Sequence, residues 1–404
     1  MLINFFLFLS VLFLLSGLAL DAGMLQLRRL QLQHAADAAA LGAIYERARG
    51  LSDWVAAGKA DAAMNGFTDG VNSVSISIVS PPTSGSYSGN ATAIQATVTQ
   101  SYHTGFMGLV SASGNATPGT MAVAAGSTPC LYIMGSGSTS YPFLNTHYSG
   151  FFPACSMYVD STSDSISNDS GSAITISGGN KIFVQGSSSN ALLNGPTSPY
   201  PTFNFAKQND PLAYVTAPIF SSCTYTNKSV SSTTTLSAGT YCGGITISAA
   251  TVTFNPGLYI VTGGMTWKNG STINGTGVTF YLTTGGGSTY AAFNILNSTV
   301  TLSAPTSTSA GGLTGIVVFG DRSWNGQGTQ GIQILSSQVT TNGIWYVPTT
   351  GVNNSSSTLQ GMTYLGLITD NVKTYASTFI FPTPDYSSLS GGSPYHDFVG
   401  SLVQ

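Results

Sequence analysis

The first twenty positions are apolar whichever side of a helix they fall on. From Met1-Leu2-Ile3 through Gly17-Leu18-Ala19-Leu20 there is no charged residue, and the run is about long enough to cross a bilayer core as a helix. The pattern then changes without a break. Asp21 to Leu41 is rich in Ala, Leu, Gln and Arg and lacks proline, which predicts continued helix. At about 1.5 Å per residue, a helix from Met1 to Arg49 is on the order of 70 Å long, far more than a membrane needs. Phe5, Phe8, Leu12, Leu15 and Leu18, with Asp21 below them, are the candidate residues of a membrane and assembly helix. Asp53 to about Phe67 predicts a second, shorter helix.

Beyond Phe67 the period falls to two. Val71–Ile78 and Ala93–Gln100 alternate as half-buried strands do, Thr120–Ala124 is a third candidate, and Pro81-Pro82 and Gly85-Ser86 supply turns between them. From about Ser127 the character changes again. Short β-branched or aromatic runs recur between Gly, Asn, Ser and Thr: Ile245-Thr246-Ile247, Val252-Thr253-Phe254, Leu258-Tyr259-Ile260-Val261, Val278-Thr279-Phe280-Tyr281-Leu282, Ile344-Trp345-Tyr346-Val347. Leu258 and Val278 stand 20 positions apart, as do Ile245 and Met265. A repeat of that length holding three short strands predicts a right-handed parallel β-helix, with inward Val, Ile and Phe stacked in ladders. A β-sandwich is the alternative, but the two-residue Asn-Gly or Asp-Gly hairpins it favours are few. The expected class is α+β: a helix over 1–52, a small α+β region over 53–126 and a large all-β domain over 127–404.

Composition narrows the function classes. Only 6% of residues are charged and the net charge is −3, so no nucleic-acid partner is expected. Arg28, Arg29, Arg47, Arg49 and Lys59 lie in the first sixty positions, leaving the remainder almost neutral. With 42% apolar residues, including 20 Phe and 19 Tyr, the chain does not have the composition of a disordered one. Its hydroxyl-rich surface fits an exported protein. The four cysteines, Cys130, Cys155, Cys223 and Cys242, all follow the apolar run. An even number in an exported domain favours two disulfides over free thiols, with three pairings possible. Cys130–Cys155 with Cys223–Cys242 closes the shortest loops.

The segments Gly17-Leu18-Ala19-Leu20-Asp21-Ala22-Gly23, Arg28-Arg29-Leu30-Gln31-Leu32-Gln33 and Ala35-Ala36-Asp37-Ala38-Ala39-Ala40-Leu41-Gly42-Ala43 resemble the start of TadG-like (TadE/TadG) pilus-assembly proteins of bacterial tight-adherence, or Flp, pilus systems. Asn209-Asp210-Pro211-Leu212-Ala213 and Pro256-Gly257-Leu258-Tyr259-Ile260 resemble parts of the long ectodomains that some members carry. The resemblance implies a non-catalytic, pilin-like envelope or filament protein. It would be membrane-inserted before assembly and homo-oligomeric through the helix afterwards. A long helix on a small antiparallel sheet is the pilin plan, by fold-level analogy. Phe5 stands where type IV pilins carry Glu, which favours an accessory protein or a different packing registry. Arg28 and Arg29 follow the apolar run and no basic residue precedes it, so the positive-inside rule would keep the bulk of the chain in the cytoplasm. The expectation that reconciles this with an exported domain is a short basic leader that has been removed.

Catalytic motifs are sparse. No Gly-x-Ser-x-Gly, His-Glu-x-x-His or phosphate-binding loop occurs, and His34, His103, His147 and His396 are not spaced as ligands. His396-Asp397 beside abundant serine, the close pair Asp321-Arg322, and the acidic group Asp160, Asp164 and Asp169 read as solvated surface rather than as a hydrolytic set, a carbohydrate-cleaving pair or a calcium site. No catalytic residue, cofactor or metal is expected. Asn-x-Ser/Thr sequons at Asn90, Asn115, Asn168, Asn227, Asn269, Asn274, Asn297, Asn353 and Asn354 offer surface glycosylation, though many arise by chance in such a composition. A membrane-anchored adhesin stacking sugars on Tyr and Trp is the second reading, and a polysaccharide-active enzyme the third.

Overall fold

The computed structural model describes residues 2–48, 52–90, 93–106, 115–127, 129–135, 141–162, 164–178, 180–324, 331–395 and 399–403. Two compact units emerge: residues 1–126 with 399–404, and residues 127–398.

In the first unit the apolar run and the polar helix after it form one element, α1, Leu2–Ala48. It is followed by α2, Trp54–Met64. Strands Val74–Val79, Ala93–Gln100 and Gly119–Ser127 make an antiparallel meander in which Val74 faces Gln100 and Ala93 faces Ala125. The sheet's fourth strand is Val399–Leu402, which lies beside Gly119–Ser127. The sequence reading carried the β domain through residue 404; the last strand instead belongs here, because its backbone completes this sheet. Small residues set the helix packing. Ala35, Ala36, Ala39, Ala40 and Ala43 of α1 are fully buried, and a side chain at Gly58 of α2 would run into Ala39 of α1.

The second unit is built of parallel strand pairs, a pairing that the hairpins of a sandwich would not give. Three rows run through it in register. One row carries Ile245, Met265, Phe293, Ile332, Val352, Val372, Phe143 and Ile166 as successive partners. A second carries Val252, Ile273, Val300, Val339, Leu359, Phe379, Phe151 and Ile174. The third carries Tyr259, Phe280, Val318, Trp345, Leu367, Leu131, Met157 and Ile182. All these side chains are buried. Ile245 and Met265 are partners as their spacing suggests, whereas Val278 pairs with Gly257 rather than Leu258.

Serine supplies a buried polar ladder at one corner. Ser298 N–H donates to Ser337 Oγ at 3.0 Å, Ser337 N–H to Ser357 Oγ at 2.8 Å, Ser377 N–H to Ser149 Oγ at 3.2 Å and Ser149 N–H to Ser172 Oγ at 3.1 Å. Each hydroxyl thereby satisfies a backbone donor that the turn would otherwise orphan. The residue just before a ladder serine repeatedly has positive φ, as at Asn297 (47°) before Ser298, Ser336 (50°) before Ser337 and Ser356 (50°) before Ser357, and at Asn297 asparagine tolerates the left-handed region.

The order of layers is not the order of the chain. The unit's first strands, from Leu131 to Pro153, stack on its last, from Leu367 to Phe381. Residues 199–224 return from one end of the stack to the other as a strap. Phe205 packs on Phe183 with ring centroids 4.4 Å apart, and Leu212 is fully buried. Asp210 accepts the Tyr346 hydroxyl at 2.6 Å. Arg322 donates to the carbonyls of Leu212 and Val215 and packs over the rings of Phe319 and Tyr346. Cys223 fastens the far end to Cys242, with Cα atoms 5.6 Å apart, and Cys130 pairs with Cys155.

Two outcomes follow from the strap. Asp160 is buried and its carboxylate accepts the Gln208 N–H at 3.2 Å. Burial pushes its pKa up to about 6, opposed only in part by that bond and by Lys207. The fold therefore favours the protonated carboxyl. Below about pH 4 the folded and unfolded states both hold the proton; as pH rises to about 6 the folded state bears a growing cost, on the order of 1–2 kcal/mol. Asp160→Asn should remove this pH-dependent loss, and the difference between the two proteins in urea melts across that window checks it. Cys223→Ser should free the strap's end and cost about 2–4 kcal/mol, read by denaturant melts. In the parent protein, alkylation under denaturing, non-reducing conditions should label no cysteine.

Candidate functional site

The helix α1 is divided by what covers it. From Leu32 onward one side is buried at Leu32, Ala35, Ala36, Ala39, Ala40, Ala43 and Ile44, the spacing of a face docked on a sheet. Above that point most of the described large apolar side chains are exposed. Phe5 is 61% exposed, Phe8 68%, Leu12 52% and Leu15 59%, and Phe13 and Leu20 are exposed as well. Leu18 is half-buried. Phe5, Phe8, Leu12 and Leu15 recur three and four apart on one stripe, but Val11, Phe13, Leu14 and Leu20 lie to its sides and are exposed too, so the apolar surface is wider than one docking face. By length and composition α1 is apolar enough to cross a membrane.

Among the described residues, Asp21 and Gly17, one turn apart, are gripped by a segment of their own unit. The Phe106 ring lies against Gly17, where any Cβ would collide with it. The buried Asp21 carboxylate accepts the backbone N–H groups of Gly105 at 3.2 Å and Phe106 at 2.7 Å. A glycine and an aspartate four apart in an otherwise apolar helix were visible in the sequence; their partner loop was not.

Residues 3–58 match the Tad family, described as Flp pilus-assembly TadE/G-like. The N-terminal segment is TadE/G-like. No curated protein and no solved structure matches the chain. The TadE/G-like segment takes in all of the exposed apolar helix from Phe5, the docked alanine face and the start of α2. Together with the apolar length of α1, it fits a pilus-associated protein held at a membrane.

The remaining candidate residues are scattered. Asp321 and Arg322 do not form the surface pair the sequence suggested. Asp321 accepts Thr283 Oγ1 at 2.6 Å, whereas Arg322 turns to the strap and lies 3.7 Å from Asp210. Adjacent side chains diverge here, and each finds its partner far along the chain. Asp160 holds Gln208, and Asp169 accepts the N–H groups of His147 and Gly171. Among the described residues no group of three His, Cys, Asp or Glu is placed to hold a metal ion. His34 and His103 are exposed, His147 stacks on Tyr375 with centroids 4.1 Å apart, and His396 and Asp397 lie outside the described residues. Of the sequons, Asn168 and Asn354 are buried and closed to a glycan in the folded protein, whereas Asn115, Asn227, Asn269, Asn297 and Asn353 are exposed.

Asp21→Ala should leave two backbone donors unpaired and loosen the 102–106 segment by about 1.5–3 kcal/mol, the worth of hydrogen bonds to a charged group. Gly17→Leu should displace the same segment by collision with Phe106. Faster hydrogen exchange at Gly105 and Phe106 in both variants, with the 93–100 strand unchanged, is the expected result.

Proposed function

We propose that the chain is a pilin-like subunit of an extracellular, tight-adherence type filament, inserted in the membrane through α1 and assembled with copies of itself through the same helix. The observation that carries this reading is the upper half of α1, where Phe8, Val11, Leu12, Phe13, Leu14, Leu15 and Leu20 are apolar and exposed. Such a helix must be covered by lipid or by other helices. In a filament, neighbouring copies of Phe5, Phe8, Leu12, Leu15 and Leu18 supply that cover, each buried large side chain contributing about 1.5–3 kcal/mol relative to water. The TadE/G-like match over residues 3–58 supports the same assignment.

On this reading the β-rich unit is a right-handed parallel β-helix displayed outside the filament core, and the chain has no catalytic role. The three in-register rows support the β-helix, and the exposed Asn227, Asn269, Asn297 and Asn353 would be the places for surface glycans. A membrane-anchored adhesin is the second reading. It is favoured by the exposed His147–Tyr375 stack beside Tyr148, 85% exposed, a patch suited to stacking on sugar rings.

Deleting Met1 to Leu20 should give a soluble, β-rich monomer. Sedimentation of this truncation beside the full chain tests it. Regular fibres from the truncated protein would mean that the β-rich unit drives assembly and that the role given to the helix is wrong.

A further inference from the structure

Where the apolar part of α1 ends, a cleft of about 370 Å³ opens, lined by Arg28, Gln31, His34, Asn65, Gly66 and Phe67. Arg28, Gln31 and His34 are three residues apart in turn, so they form one ridge of the helix. Arg28 donates to Gln31 Oε1 at 3.1 Å, which spends one of the five donors a guanidinium carries. None of the lining residues is acidic, and Gly66, at φ 89°, leaves open space where a side chain would stand. Around the cleft the surface turns apolar: Leu27 is 50% exposed, Leu30 61% and Met64, at the end of α2, 79%.

We propose that this cleft binds the phosphate headgroup of an anionic phospholipid at the membrane surface, with the acyl chains running along the bare face of α1 from Leu27 upward. The inference rests on the reading of α1 as membrane-inserted and adds a partner to it. Depth argues for the lipid over a free anion. The uncharged run ends at Leu20 and Arg28 lies two turns further, about 12 Å along the axis, the level of the headgroups beneath a bilayer core that the run spans. Charge argues the same way, since a guanidinium recognises a phosphodiester through directed donors as well as through its charge. It also gives a reason for Arg28 on the exported side of an apolar helix, where the positive-inside rule disfavours it. Its guanidinium faces anionic lipid rather than setting orientation.

The test uses the full chain in nanodiscs of phosphatidylcholine doped with phosphatidylglycerol, with bound lipid counted by native mass spectrometry after extraction into detergent. Membrane insertion is followed separately by resistance to alkaline extraction. The parent protein should retain phosphatidylglycerol in preference to phosphatidylcholine. Arg28→Gln should lower that retention at least about tenfold, as loss of a charge-assisted hydrogen bond does, while Arg29→Gln, exposed and outside the cleft, should leave it nearly unchanged. Equal losses in the two variants would indicate diffuse charge attraction and overturn the cleft as a site. Displacement of the lipid by millimolar inorganic phosphate would overturn the lipid in favour of a free anion. Insertion without any preference for phosphatidylglycerol overturns this inference alone; failure of the parent protein to insert overturns the membrane reading as well.

Discussion

Uncovered apolar surface on the upper part of α1 is the constraint that organises the first unit. A helix with one apolar stripe can be satisfied by a sheet, and the lower part of α1 is: its alanines lie against the small sheet and α2. The upper part carries large apolar side chains, and among the described residues Phe8, Leu12, Phe13, Leu15 and Leu20 stay exposed. Only a solvent of lipid tails, or a bundle of like helices, meets that demand. The division falls near Leu32, where Phe and Leu give way to Ala. Gly17 and Asp21 mark where the unit still reaches upward, through Phe106.

The β-rich unit solves a different problem, that of building a large core with almost no charge. Its rows place Val, Ile, Leu and aromatic side chains over one another, so that Trp267 meets Phe293 at 4.6 Å and Phe254 meets Phe280 at 5.0 Å. Close aromatic pairs of this kind add to what burial alone contributes. Where the rows turn, backbone donors are met by the buried serines instead of by water. Ser and Thr therefore act as structural polar groups here, and their abundance is not only a surface property.

Stacking the first strands on the last also brings the ends of the unit together. Tyr395, near its exit, lies 5.7 Å from Tyr132, near its entry. A unit whose ends are adjacent can be inserted within another without opening it. The chain thus leaves the small sheet after Gly119–Ser127, completes the β-rich unit and returns to add Val399–Leu402 to the same sheet.

Much of this was legible from local pattern. The apolar run, the period-two strands at Ala93–Gln100 and the twenty-residue recurrence from Ile245 to Met265 each report on near neighbours, and side-chain period is a local property. The two disulfides were legible for a similar reason, since short loops keep partners close. What the tertiary structure alone decided was long-range. Parallel pairing is made by backbone groups that are alike at every residue, so nothing in the period says that Val372 stacks on Phe143 rather than ending the row. The strap, the placement of Arg322 against Leu212 and Val215, and the return of the C-terminal strand depend on that choice of stacking order. Asp321-Arg322 was misread on the same ground: adjacency in the chain says little about partners when each side chain is met by a segment far away in sequence.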